Sequence, residues 1–157
     1  MPDIARERWE ELYDRAFPQV YRALVAATLD RERSLDALHD AFEEGMRHPP
    51  KHDANLEGWL YRVALRKARR GLFRALRETR MTDRSIEDDT TRVLQRLEAV
   101  RLLALLTERQ RAIVVARYYL GMSQEEIADA FGLRRGSVSA TVSQSLARMR
   151  RAGAERA

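Results

Sequence analysis

The sequence contains no cysteine, which excludes disulfides, thiolate metal sites and a thiol nucleophile from this chain. Lysine is nearly absent as well: only Lys51 and Lys67 occur among the 29 basic residues, which leaves 27 arginines. No apolar run approaches the roughly 18 residues that a membrane-spanning helix needs, and the N-terminal segment lacks the apolar core of a signal peptide. We therefore expect a chain that is neither exported nor inserted into a membrane, and that resides in a reducing cytoplasm.

The 157 residues fit one ordinary domain or two small ones. A formal net charge of +5 favours an anionic partner, and the planar guanidinium group of arginine matches phosphates and guanine edges. The codon bias of a GC-rich genome explains the number of arginines equally well, so their positions must decide. With seven glycines, four prolines and apolar residues at helical spacing, the sequence predicts an all-α fold.

Three helices are predicted in the N-terminal half, over about 4–28, 30–47 and 56–76. Pro18 is expected to kink or restart the first helix, and Asp30 is the expected N-cap of the second. One face of the second helix is apolar, and its members are Leu35, Leu38, Phe42 and Met46. Residues 48–55 form a loop, because their two consecutive prolines cannot continue a helix.

The segment 77–91 is polar, rich in acidic residues towards its end and nearly free of apolar periodicity, so it is predicted to be a linker. Helical periodicity returns after it and predicts two packed helices before Gly121. The chain therefore divides into a first domain over 1–76, the linker, and a second domain over 92–152.

Residues 123–151 have the pattern of a helix-turn-helix. Ser123 and Glu126 form a capping box, Gly132 supplies the turn, and Ile127 and Val138 belong to the shared core. The second helix, from about 135 to 151, would present polar and basic residues towards a major groove. These candidate DNA-reading residues are Arg134, Arg135, Ser137, Ser139, Ala140, Ser143, Gln144 and Arg148. The alternative is a helical hairpin that merely completes a bundle.

A second concentration of basic residues lies between residues 62 and 80, where eight arginines and lysines are opposed by Glu78 alone. On the third helix the basic residues share a broad face opposite an apolar one, an arrangement that suits phosphate contact. A solvated surface is the alternative. A metal site at His48 and His52 is not expected, because Pro49 and Pro50 forbid the helical spacing that would align the two rings.

Three stretches resemble signature segments of the extracytoplasmic-function (ECF) sigma factors of the sigma-70 family: DALHDAF at 36–42, GWLYRVA at 58–64 and LTERQR at 106–111. The capping box and the helix-turn-helix follow in the family's order, and the resemblance extends over roughly 9–151. It implies two small helical domains joined by a flexible linker, in a non-enzymatic promoter-specificity subunit of bacterial RNA polymerase. The first domain would bind the polymerase core and melt the −10 element, and the second would read the −35 element.

The resemblance also implies roles for individual residues. Docking on the clamp coiled coil of the largest polymerase subunit would involve Asp36, His39, Asp40, Glu43 and Glu44. Capture of the −10 element and backbone contact would involve Lys51, His52, Asn55, Arg62, Arg66, Lys67, Arg69 and Arg70. Trp59 and Tyr61 could stack on bases, although the helical spacing of Trp59 favours a core position.

The resemblance implies three partners: core polymerase, promoter DNA and an anti-sigma factor. Contact with the polymerase would be through its clamp and its flap. The free chain would be a monomer, and no cofactor is expected. In similar proteins the linker passes through the polymerase cleft towards the RNA exit channel, but a plain tether explains its composition as well.

Some positions depart from the family pattern. His39 replaces the usual glutamine, Arg66 and Arg70 stand where Asn and Asp are common, and Ser139 and Gln144 occupy places that are often basic. Two alternative functions therefore remain: a helix-turn-helix regulator that acts without polymerase, as a dimer on a pseudo-palindrome, and a sigma-like interaction protein that does not initiate transcription. No carboxylate pairs with His or Ser in a catalytic spacing, so an enzyme is not expected.

Overall fold

The computed structural model describes residues 2–51, 55–78 and 92–155, with the side chains of 6–51, 55–69 and 98–155. These residues form seven helices and contain no strand, which confirms the all-α prediction. In chain order the helices are α1 (Pro2–Thr28), α2 (Arg31–Arg47), α3 (Leu56–Glu78), α4 (Arg92–Ala104), α5 (Glu108–Tyr118), α6 (Gln124–Phe131) and α7 (Arg135–Ala154). Most of the predicted linker lies outside the described residues. We call α1–α3 the N-terminal module and α4–α7 the C-terminal module.

Helix α1 runs through Pro18 without ending there, so the expected restart at this residue is wrong. A proline inside a helix removes one backbone donor and costs stability. Here the ring is exposed, while Ala16 and Val20 on either side are fully buried. Tertiary packing of the apolar face therefore holds the helix together across the proline.

In the turn between α1 and α2, Asp30 is the N-cap of α2, as predicted, and the residue before it is strained. The Asp30 carboxylate accepts a hydrogen bond from the Arg33 amide at 3.0 Å, as an N-cap does. Leu29 has φ +57°, a left-handed conformation that costs energy in a residue with a Cβ. A buried hydrogen bond of 2.7 Å between the hydroxyls of Thr28 and Ser34 closes the turn.

Aromatic rings fill the core at one end of the N-terminal module. The Trp9 ring meets Phe42 and Trp59 edge-on, with centroids 6.3 and 6.1 Å away. Trp59 is therefore a packing residue, as its spacing favoured. Gly45 makes room for Trp9, because a Cβ at this position would overlap the indole ring. Leu35 and Met46, predicted to face the core, are 39% and 53% exposed.

The helix-turn-helix is confirmed in the C-terminal module. Ser123 and Glu126 form both halves of a capping box at the start of α6, and Thr107 and Gln110 repeat the device at α5. Gly132 ends α6 with φ +64°, the left-handed conformation that glycine adopts at no steric cost. In the core shared by α6 and α7, Ile127 and Val138 are fully buried.

The two modules pack directly against each other. Helix α5 lies on α1, and α6 contacts α3. One cluster of buried apolar residues extends from α1 and α3 through α5 to the helix-turn-helix. The described residues therefore form a single packed body whose two halves share apolar surface. None of their helices is long and apolar enough to cross a membrane.

Candidate nucleic-acid and polymerase-docking surfaces

The outer face of α7 carries the residues predicted to read DNA. All eight are exposed, from Arg134 at the N-cap to Arg148 about four turns later. Hydroxyl and amide side chains such as Ser143 and Gln144 can bond base edges, and the arginines can contact phosphates or guanine. The face therefore presents both kinds of DNA contact to solvent.

The inner face of α7 fixes this orientation. Val138, Val142 and Ser145 are buried at helical spacing, and the Ser145 hydroxyl donates to the carbonyl of Thr141 at 2.7 Å. Leu133 anchors the turn before α7, since its amide donates to the carbonyl of Ala128 at 2.8 Å. A helix held on these positions has one orientation about its axis, so the polar set is aimed outward as a unit.

Helix α3 carries the second basic surface. Arg62, Arg66 and Arg69 are exposed, and the opposite side of the helix is buried. The buried positions are Leu60, Val63, Ala64 and Ala68. Lys51 is exposed in the preceding loop, whereas His52 and the side chain of Arg70 lie outside the described residues.

Part of this basic surface is neutralised within the module. The Glu44 carboxylate lies 2.7 Å from the Lys67 ammonium group and 3.2 Å from the Arg66 guanidinium group. The hydrogen bond from Lys67 is the largest of the effects that lower the pKa of Glu44. A predicted docking residue and two predicted DNA-contacting residues therefore bind each other.

Asn55 connects the loop before α3 to the helix-turn-helix. Its side-chain oxygen accepts from the Gly58 amide at 2.9 Å, in the manner of an N-cap. Its side-chain nitrogen donates to the carboxylate of Glu126, the residue that closes the capping box of α6. This bond from Asn55 is the main cause that lowers the pKa of Glu126. Both ends of the Asn55 amide are thus engaged.

Tyr61, a candidate for base stacking, is a core residue in this structure. The ring is completely buried, and its hydroxyl donates to the carbonyl of Ala112 in α5 at 2.8 Å. Burial raises the pKa of the phenol. The partner of Tyr61 lies 51 residues away, so no local sequence pattern marks this contact.

The predicted docking face of α2 is on the surface. Asp36, His39, Asp40 and Glu43 are exposed, and Glu44 is partly covered by its ion pairs. Acidic side chains that face solvent can attract a basic partner and orient its approach.

An apolar depression lies beside this face and was missed by sequence reasoning. It has a volume of about 410 Å³. Its lining residues are Trp9, Glu10, Tyr13, Asp14, Phe42 and Met46. Tyr13 is 39% exposed and stands next to His39, whose ring centroid is 6.4 Å away. The only advance signal was the helical spacing of Trp9 and Tyr13, which also fits a buried core.

Among the described residues, no group of three His, Asp or Glu side chains is placed to hold a metal ion. The arrangement instead offers two basic surfaces and one acidic and apolar surface. The groups on these surfaces are typical of contact with nucleic acid and with protein.

Comparison with known proteins agrees with this geometry. The family model for region 4 of sigma-70 matches residues 96–149, which include the helix-turn-helix. Over 151 residues the sequence is 27% identical to the ECF RNA polymerase sigma factor SigM of Mycobacterium tuberculosis, covering 93% of this chain and 77% of that one. Residues 96–149 therefore match region 4 of sigma-70, and the chain as a whole is similar to ECF sigma factors. Sigma factors are DNA-binding transcription initiation factors rather than enzymes.

A shorter match is found with another sigma factor. The sequence is 37% identical over 70 residues to the RNA polymerase sigma-E factor of Streptomyces avermitilis. That match covers 45% of this chain and 39% of the length of its relative.

The fold is also shared with a solved structure. The sigma factor RpoE of Bartonella quintana, determined in complex with the anti-sigma factor NepR, superposes with a TM-score of 0.79 at 16% identity. The superposition covers 92% of this chain and 96% of that chain. At this identity the likeness establishes the arrangement of helices.

Proposed function

We propose that this ECF sigma factor binds core RNA polymerase and directs it to a specific set of promoters. The observation that carries the proposal is the exposed polar and basic face of α7, held outward by Val138, Val142 and Ser145 in a chain of this family. A helix presented in this way fits a major groove. The C-terminal module, residues 92–152, is assigned to −35 recognition.

The N-terminal module, residues 1–76, is assigned to core binding and to opening of the −10 element. Support for core binding is the exposed carboxylates of Asp36, Asp40 and Glu43, with an apolar depression beside them. Support for −10 binding is the basic face of α3 and the adjacent loop. Opening a base pair without nucleotide hydrolysis requires stacking and phosphate contacts that offset a cost of a few kcal/mol.

An inhibitory protein belongs to the proposal as well, since the solved relative RpoE was determined with an anti-sigma factor. The acidic and apolar surface of α2 is where such an inhibitor would compete with polymerase.

Run-off transcription on genomic fragments with core polymerase tests the proposal. The chain should direct new start sites that core enzyme alone does not produce. The double variant Asp40→Arg, Glu43→Arg should lose at least tenfold in affinity for core, because two carboxylates of the docking face become cations. The double variant Glu7→Arg, Glu98→Arg, at exposed positions on α1 and α4, makes the same total charge change away from that face and should bind normally.

Two outcomes would reject this assignment. Failure of the chain to bind core and to produce specific transcripts would leave the polymerase-independent regulator, which sizing on a palindromic duplex would reveal as a dimer. Core binding without transcripts would favour the non-initiating interaction protein.

A further inference from the structure

Ser137, in the first turn of α7, has a sequence context that no other hydroxyl residue of the chain shares. Of the fourteen serines and threonines, only Ser34 and Ser137 have an arginine three positions before them. Only Ser137 has a second arginine two positions before it, so that Arg134 and Arg135 both precede it. Paired basic residues at these positions fit the acidic substrate groove of an arginine-directed serine kinase, which selects its substrates by charge.

The structure separates these two serines by their accessibility. Ser34 is completely buried, and its hydroxyl is hydrogen-bonded to that of Thr28 at 2.7 Å. Ser137 is exposed, as are Arg134 and Arg135. The Ser137 hydroxyl makes no hydrogen bond with any residue that the structure describes. A kinase can therefore reach Ser137 and its two arginines together, whereas Ser34 is enclosed in the core.

The start of α7 is less firmly held than the starts of three other helices. A side chain bonds an amide of the first turn in α2, α5 and α6, and these caps are Asp30, Thr107 and Ser123. The N-cap of α7 is Arg134, whose side chain makes no such bond. Gly136 follows in the first turn, where glycine is a poor helix former. Local opening of this turn, which a kinase needs in order to bind its substrate extended, is therefore easier than at a capped helix.

An anion at Ser137 would find cations close to it. The Arg135 guanidinium group already lies 3.2 Å from a carboxylate, that of Glu125 on α6. A phosphate group carries about −1.5 to −2 charges at neutral pH and three strong acceptor oxygens. It would also lie at the positive end of the α7 dipole. Phosphoserine is therefore compatible with a folded α7 and would compete with Glu125 for Arg135.

We propose that Ser137 is a phosphorylation site for an arginine-directed serine kinase, and that the phosphate switches off DNA reading by α7. The inference rests on the proposed function, because the binding of α7 to DNA is taken from it. In the reaction, the Ser137 hydroxyl oxygen bonds the γ-phosphorus of a nucleoside triphosphate. The bond from that phosphorus to the bridging oxygen breaks, the nucleoside diphosphate leaves, and the serine proton passes to a base of the kinase.

The position of Ser137 explains why the phosphate would act on DNA binding. Ser137 lies on the exposed face of α7 that is assigned to the −35 element, beside two arginines of that face. A phosphate there repels the DNA backbone and occupies guanidinium groups that DNA would otherwise engage. The docking face of α2 lies on the other module, so the modification acts on DNA recognition and leaves those carboxylates unchanged.

A kinase reaction on the full chain tests the site. The probe is the catalytic subunit of cyclic-AMP-dependent protein kinase with ATP, followed by intact mass and peptide mapping. One phosphate should be added, on Ser137, and Ser137→Ala should accept none there. Arg134→Gln with Arg135→Gln should lower the initial rate at least tenfold, because the kinase loses both cations that it reads. Arg150→Gln with Arg151→Gln removes the same charge at exposed positions later in α7 and should be modified at the parental rate.

DNA binding of the modified chain tests the switch. The duplex is the −35 region of a promoter that the unmodified chain selects in run-off transcription. Phosphorylated chain should bind it at least about tenfold more weakly at low salt, with a smaller difference at high salt. Phosphatase treatment should restore the affinity, and circular dichroism should show the same helix content in both forms. Ser137→Asp should weaken binding more than Ala99→Asp, which adds the same charge at an exposed position on α4.

The outcomes distinguish this inference from the proposed function. Absence of phosphate on Ser137, phosphate on Ser34 instead, or equal rates for the parent and the Arg134 and Arg135 double variant would overturn the modification site. Equal affinity of the modified and unmodified chains for the duplex would overturn the switch. If the unmodified chain selects no promoter, the proposed function is rejected, and with it the switch, while peptide mapping still decides whether Ser137 is modified.

Discussion

The two basic surfaces of the molecule differ in how far they are already occupied. On α7, Arg135 is the only one of the eight predicted residues with an ion pair among the described residues, and its partner Glu125 is 74% exposed. On α3 and its loop, Arg66 and Lys67 bind Glu44, and Asn55 binds both Gly58 and Glu126. Recognition by α7 therefore needs little rearrangement, whereas the α3 surface must exchange internal partners for DNA.

This difference follows from where the partners come from. Helix α7 is oriented by packing against α5 and α6, so its outer face is complete within the C-terminal module. The α3 surface is built from residues distant in the chain, since Glu44 lies on α2 and Glu126 on α6. The α3 surface can therefore change when α2 or α6 moves relative to α3. The α7 surface does not depend on such movements.

The largest expected effect is on α7. Arg135→Ala with Gln144→Ala should reduce affinity for a −35 duplex by about 1–3 kcal/mol for each side chain that reads a base, roughly 5- to 150-fold. The free energy of unfolding should change by less than about 0.5 kcal/mol, because both side chains are exposed. Mobility shift and urea denaturation measure the two quantities. A large loss of stability would show that Arg135 and Gln144 also hold the fold together, and that the α7 surface is not free to bind DNA as described.

Asn55→Ala should destabilise the chain by about 1 kcal/mol, because α3 loses an N-cap. For a protein of this size that corresponds to a Tm lower by about 2–4 °C. Ser137→Ala, at an exposed position in the first turn of α7, is the control and should have little effect. Equal Tm values for the two variants would contradict the role of Asn55 as the N-cap of α3.

Glu44→Gln should release Arg66 and Lys67 and tighten binding to single-stranded DNA about two- to fivefold at low salt, since exposed ion pairs contribute up to about 1 kcal/mol. The salt dependence should steepen as well. Glu125→Gln adds the same charge on the other surface and should change affinity less than about twofold. If both variants gained the same affinity for DNA, the gain would come from net charge alone and not from release of Arg66 and Lys67.

The smallest expected effect is on acid stability. The pKa of Glu126 lies below its ordinary value of 4.5 mainly because Asn55 bonds the carboxylate. A depressed pKa gives stability that is complete above 4.5 and is lost as the pH falls through the lower value in the folded state. Glu126→Gln should therefore reduce the loss of unfolding free energy below pH 4.5, measured by urea denaturation, by well under about 1 kcal/mol because solvent screens the group. Glu125→Gln should retain the parental pH dependence, and an equal reduction in both variants would exclude a specific role for Glu126.

The parts of the fold that could be predicted from sequence are those determined by residues close together in the chain. Ser123 and Glu126 are three residues apart, and Gly132 supplies the left-handed turn on its own. Asp30 is likewise recognisable as an N-cap beside the helix it starts. The exposed face of α7 follows from the same local pattern, so its residues could be chosen before the structure.

The parts that could not be predicted depend on tertiary contacts. The spacing of Tyr61 places it on α3, but nothing in the sequence indicates its hydrogen bond to Ala112 on α5. Leu35 and Met46 have the spacing of core residues, yet the bundle leaves that edge of α2 uncovered. The close packing of α5 on α1 was equally invisible, because alanines at helical spacing are compatible with a helix in any surroundings.

The packing of α5 on α1 includes a hydrogen bond of 2.8 Å from the Arg111 guanidinium group to the carbonyl of Ala27. This contact fixes the last turn of α1 from outside its own module, whereas Arg33 fixes it from within. Loss of Arg111 would leave the Ala27 carbonyl without this partner, so the turn would open more often than the rest of the helix. Amide hydrogen exchange at the end of α1 would therefore report how firmly α5 is seated.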